Sequence, residues 1–151
     1  MLFKRISRTD PERVFIVCSN GYSTASLTNG QWVSWDTGDA DGISVSKNPD
    51  SKSSALVAGV AAETIAAGEY GLIQVYGYHS AVRVDSHTAQ DIFAGAPLFA
   101  LTSGFVLNGP WLATATTEEV GVCSLHAAAV ALEAYGSVGT TGTIKAIVKC
   151  M

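Results

Sequence analysis

Cys123 and His126 have the Cys-x-x-His spacing that can bring a sulfur and an imidazole nitrogen onto one metal ion. A structural zinc site needs four ligands. The remaining candidates, Cys18, Cys150, His79 and His87, are scattered singly along the chain. The sequence therefore predicts no metal site: Cys123 packs as a small hydrophobe, and His126 faces water or an interface. A Cys–His nucleophile pair is the second chemistry open to these residues, because separation in sequence does not forbid contact in space. Nothing local activates any of the three thiols, neither a turn-rich helix start nor a cluster of cations. Glu118 and Glu119 are adjacent and diverge in an extended chain, so they do not form a convergent acid pair. No G-x-S-x-G elbow, Walker A loop or G-x-G-x-x-G fingerprint occurs. No residue is assigned a catalytic, cofactor-binding or metal-binding role, and the chain reads as a binding protein, not an enzyme.

The aromatic residues say more. Tyr70, Tyr76 and Tyr78 cluster around one strand-like segment, with Tyr76 and Tyr78 on the same face beside Gln74. Tyrosines so placed suit a contact surface, where an apolar ring with a polar tip makes a good anchor. They suit equally a barrel rim with the hydroxyls in water. Trp32, Trp35 and Trp111 raise the same question, and at least one of them reads as core.

The elements that would carry these residues follow from composition. Of 151 residues, 48% are hydrophobic and only 15% charged; 21 are alanine, 15 glycine, 15 serine and 13 threonine. That balance argues against disorder and against a long solvated helix or coiled coil, and predicts short strands joined by turns within one domain's length of chain. No apolar run reaches the roughly 18 residues of a membrane helix, and the start lacks a signal-peptide pattern. Three cysteines without framework spacing predict free thiols in a reducing compartment. Residues 1–13 carry Lys4, Arg5, Arg8 and Arg13 against Asp10 and Glu12, whereas from 53 to 144 Arg83 faces seven acids. So acidic a body is a poor partner for nucleic acid.

Along the chain, Val14–Cys18 reads as a strand, and Gln31–Asp36 as a second with a tryptophan on each face. Residues 37–54 read as a long polar loop around Ile43-Ser44-Val45. Ala55–Ala61 is a small-residue strand whose Gly59 predicts a bulge or close backbone approach. Leu72–Val84 is the strongest strand, with Ile73, Val75, Gly77, His79, Ala81 and Arg83 on one face. The frame Ile65-x-Ala67-Gly68 recurs 27 residues later as Ile92-x-Ala94-Gly95, one loop-to-strand device used twice. Leu98–Leu101 and Phe105–Leu107 suggest a hairpin. Residues 125–134 fit either a short helix or a strand, and Thr143–Cys150 is the final strand.

The series Val57-Ala58-Gly59-Val60-Ala61, Ile65-Ala66-Ala67-Gly68-Glu69-Tyr70-Gly71, Ile73-Gln74-Val75-Tyr76-Gly77 and Ala94-Gly95-Ala96-Pro97-Leu98 resembles the small capsid decoration, or cement, proteins of tailed bacteriophages. A Val120-Gly121-Val122 strand, the Ala131-Leu132-Glu133-Ala134 segment, a glycine-containing turn and a last strand complete the likeness. It spans residues 55–151 and leaves 1–54 uncovered.

The resemblance implies an all-β fold with a compact β-barrel or β-tulip-like core at 55–151 and an extended N-terminal arm, which falls at 1–13. The hairpin-and-loop elaboration at 14–54 is read from the residues themselves and has no counterpart in the likeness. It implies a trimer on the outer capsid surface that bridges major capsid subunits, assembled in the bacterial cytoplasm with no cofactor, nucleic acid or membrane partner. Carried onto this chain, capsid contact falls to Phe3, Lys4, Arg5, Arg8 and Phe15, and subunit contact to Tyr76, Tyr78 and His79. The alternatives are another virion structural role, such as a head-fibre base or minor shell protein, and a small β-domain binding module or enzyme of unknown ligand.

Overall fold

The computed structural model describes residues 11–39, 41–47, 56–85, 91–99, 127–136 and 140–150. Among them the chain forms strands only: β1 (Arg13–Asn20), β2 (Trp32–Trp35), β3 (Ser44–Lys47), β4 (Val57–Ala61), β5 (Tyr70–Asp85), β6 (Pro97–Leu98), β7 (Ala129–Ala131) and β8 (Thr141–Lys149). The all-β expectation holds. In place of a helix near 125–134, the described part of that segment carries β7, whose alanines lie flat between β6 and β8. Helix propensity is a small preference, and burial of Ala129 and Ala131 in a sheet outweighs it. Ile43-Ser44-Val45, expected inside a loop, leads into β3. The expected hairpin at 98–107 lies largely outside the described residues, and Leu98 pairs with Ala129.

The strands form one sheet in the order β1-β3-β2-β4-β5-β8-β7-β6, and β1 pairs again with β5. That extra pairing bends β1, β3, β2, β4 and β5 into a ring of five strands, with only β1–β3 parallel. The strands from 14–54 and those that follow thus share one hydrogen-bonded sheet. Inside the ring lie Cys18, Leu27, Val33, Val45, Ala58, Ala61, Ile65 and Ile73. A second core joins Trp32, Val57 and Val60 on the outer side of β2 and β4 to Ile92, Leu98, Ile144 and Val148 from the other end of the sheet. Both faces of β2 are therefore covered, and each of its tryptophans has a core to enter. Trp32 is fully buried and donates its indole N–H to the Arg83 carbonyl at 3.0 Å.

Two irregularities set the course of β5. Pairing slips between His79 and Val82, so alternation inverts there: His79 is buried before the slip, Val82 and Val84 after it. The uninterrupted alternation expected for this strand is corrected by that bulge. Gly59 sits, as expected, at a bulge, where β2 steps from pairing with Gly59 to pairing with Val57.

The chain also contains its own architecture twice. Leu27 and Ile65 form a bridge with reciprocal backbone bonds, as do Ile92 and Tyr135. Gly30 N–H donates to the Ala61 carbonyl at 2.9 Å, and Gly95 N–H to Ala131 at 2.8 Å. Ala62 N–H donates to Leu72, and Leu132 N–H to Lys145. Glu63 then accepts the Leu72 N–H at 2.9 Å, and Glu133 the Lys145 N–H at 2.8 Å. Strands β2, β4 and β5 thus correspond to β6, β7 and β8, with β5 and β8 antiparallel at the centre.

Candidate interaction surface

The outer face of β1 and β5 is built by strand parity. Directly opposed residues of an antiparallel pair point the same way. Val17 stands opposite Leu72, Ser19 opposite Tyr70 and Phe15 opposite Gln74, with a bulge before Val14 meets Tyr76. Their inward neighbours, Ile16, Cys18 and Ile73, enter the ring core. Outward, Tyr70 is 66% exposed, Val17 63%, Tyr76 41%, Leu72 40% and Phe15 37%. The row continues onto β8, where Tyr76 opposes Lys149 and half-buried Tyr78 opposes Ile147.

Gln74 interrupts the apolar row without opening it. Its amide is buried and donates to the carbonyls of Gly77 and Tyr78, each at 3.0 Å. Those carbonyls are turned toward it where Gly77 adopts φ +98. A Cβ at Gly77 would run into the Glu12 carbonyl oxygen, so glycine is what lets β1 lie against β5 here.

Charge is distributed along the face. At the Tyr76 end stand Lys149 and Arg13, whose guanidinium lies 6.0 Å from the Phe15 ring centre; Glu12 adjoins them. At the Tyr70 end stand Glu63, bonded to the Leu72 N–H, Glu69 and Asp41. Asp41 accepts the backbone N–H groups of Ile43 and Ser44 and the Ser44 hydroxyl, each at 2.8 Å. Bonds from Ser44 and then Ile43 hold its carboxyl below the usual carboxylate range.

Of the residues expected at contacts, Phe15 and Tyr76 come together on this face. Tyr78 lies at its border. His79 points the other way and is only 7% exposed, its Nδ1 accepting the Ala81 N–H at 3.1 Å. Phe3, Lys4, Arg5 and Arg8 lie outside the described residues, as do Cys123, His126 and Trp111. Cys18 and Cys150 are free thiols, and burial pushes Cys150 up to about 12. Among the described residues no group of three or more His, Cys, Asp or Glu side chains is placed to hold a metal. Val17 and Leu72 were not singled out in the sequence. An apolar run such as Val14–Cys18 gives no sign of which side is left uncovered.

The sequence matches no protein-family model and no curated protein. Among solved structures, the chain is similar to the head fiber gp8.5 N base of bacteriophage phi29. The likeness has 14% identity and a TM-score of 0.48, covering 92% of this chain and 96% of that one. A TM-score below 0.5 at that identity defines neither a shared family nor a shared function.

Proposed function

We propose that this chain is a structural protein of a tailed-phage virion that works by binding, attached to the outer capsid surface as a decoration protein. The observation that carries the binding role is the outer face of β1 and β5. Five of the eight large apolar side chains left exposed among the described residues lie side by side there, whereas Ile43, Phe93 and Leu132 are exposed elsewhere, and contiguous exposure of that kind marks protein contact surfaces. The virion setting rests on the resemblance of residues 55–151 to decoration proteins. In this reading the basic residues Lys4, Arg5 and Arg8, with Phe3, engage the major capsid protein. An oligomer that touches several capsid subunits at once would turn modest contacts into lasting attachment.

The test is co-sedimentation of purified protein with expanded, undecorated capsids, followed by heating of the bound and bare shells. Binding with a rise in shell melting temperature supports decoration. Binding without stabilisation points instead to a head-fibre base or minor shell protein, and no binding overturns the virion-surface reading.

A further inference from the structure

We propose that the outer face of β1 and β5 is where two copies of this chain meet about a twofold axis. The proposal extends the binding role given above by naming the partner of this surface, and leaves capsid attachment to residues before β1.

The argument is one of self-complementarity. The face is apolar in its middle, with Phe15, Val17, Leu72 and Tyr76, and it carries opposite charge at its two ends. Arg13 and Lys149, with Glu12 beside them, leave the Tyr76 end net positive; Glu63, Glu69 and Asp41 make the Tyr70 end negative. Two such faces laid together with β5 antiparallel to its counterpart exchange their ends. The cations of each copy then oppose the carboxylates of the other, and the apolar middles coincide. A twofold contact uses the same surface on both subunits and demands this kind of self-match, whereas a threefold contact joins two different surfaces. The resemblance to decoration proteins implies a trimer; the charge order on this face favours the twofold pair. The surface is also prearranged, because Gly77, the Gln74 bonds and the β1–β5 ladder hold it in shape before any partner arrives.

Mass photometry or light scattering of the full chain separates the outcomes. Each chain is 15.7 kDa, and the expected particle has twice that mass. Leu72→Glu and Val17→Glu change exposed positions and leave both cores intact, so circular dichroism should be unaltered while the particle falls to a monomer. Charge exchange gives a second, independent reading. An Arg13→Glu/Lys149→Glu chain and a Glu63→Lys/Glu69→Lys chain should each associate at least about tenfold more weakly alone than when mixed, where opposite faces meet. A monomer or a trimer for the unaltered chain, or a dimer indifferent to Leu72→Glu, overturns the proposal. Capsid co-sedimentation of the same variants reads the attachment role separately: a Leu72→Glu monomer that still binds shells sinks neither idea, and one failing on both counts places capsid contact on this face and overturns the division of labour.

Discussion

Gly77 and Gly95 both have positive φ, +98 and +88, but their surroundings differ. A Cβ at Gly95 meets nothing within 4 Å, while one at Gly77 strikes the Glu12 backbone. Gly95→Ala should therefore cost only the left-handed backbone penalty, about 1–2 kcal/mol. Gly77→Ala must also push β1 away from β5, and should cost about 2–4 kcal/mol. Urea unfolding of the two variants gives the comparison directly. His79 supplies a pH prediction. Burial, and then the charge of Arg13, lower its pKa from 6.5. The unfolded chain then takes up a proton that the folded chain resists, so stability is full above about pH 6.5 and falls as pH drops below it. Melting temperature should decline between about pH 7.5 and about pH 5, and less so in His79→Asn, which keeps an acceptor near the Ala81 N–H. Asp41 and Glu133 have pKa values lowered from 3.8 and 4.5, by backbone bonds from Ser44 and Lys145 respectively, so their contribution is lost only at lower pH. An acid response unchanged in His79→Asn would rule out this origin.

At the scale of elements, strands were legible wherever apolar residues ran together or alternated: Val14–Cys18 lies within β1, and Thr143–Cys150 overlaps β8. What could not be read were features set by tertiary contact. The bulge after His79 is where Ala81 packs against the Gly30 turn, a neighbour 51 positions away in sequence. The glycine turns at 65–68 and 92–95 were legible as turns, with φ +76 and +88. The structural counterpart of Ile92–Gly95, however, is Leu27-Thr28-Asn29-Gly30, which shares only its closing glycine with Ile92-Phe93-Ala94-Gly95. The correspondence of Ala58-x-Val60-Ala61-x-Glu63 with Ala128-x-Val130-Ala131-x-Glu133 was not read from the sequence and emerges from the structure, where each glutamate accepts a backbone N–H of the next strand. The face of β1 and β5 was half visible, since the shared face of Tyr76 and Tyr78 was plain but the covered side was not. A further expectation belongs to β1. Because its ladder to β5 begins at Arg13, deleting residues 2–12 should reduce capsid attachment about tenfold, roughly 1.4 kcal/mol, while lowering the melting temperature by much less in proportion. Co-sedimentation and thermal denaturation on one preparation compare the two, and the reverse ordering would make those residues part of the fold.

For the whole molecule, the duplication raises the question of whether two halves unfold separately. They share too much. Trp32, Val57 and Val60 of the first copy pack in one core with Ile92, Leu98, Ile144 and Val148 of the second. The long β5–β8 ladder joins them from Tyr76 to Asp85. Neither half can expose its side of that core without exposing the other's, so unfolding should be a single transition whose calorimetric and van't Hoff enthalpies agree at a fixed protein concentration. Trp32→Ala removes the largest side chain of the shared core together with its bond to Arg83, at an expected cost of about 3–5 kcal/mol. That loss should lower the one transition without splitting it, since the tryptophan belongs to the first copy by sequence but to both by contact. Association of folded chains would move the same transition upward as protein concentration rises. Two resolved calorimetric peaks in the Trp32→Ala variant would mean that the copies are joined by the β5–β8 ladder alone and that the common core contributes little to their coupling.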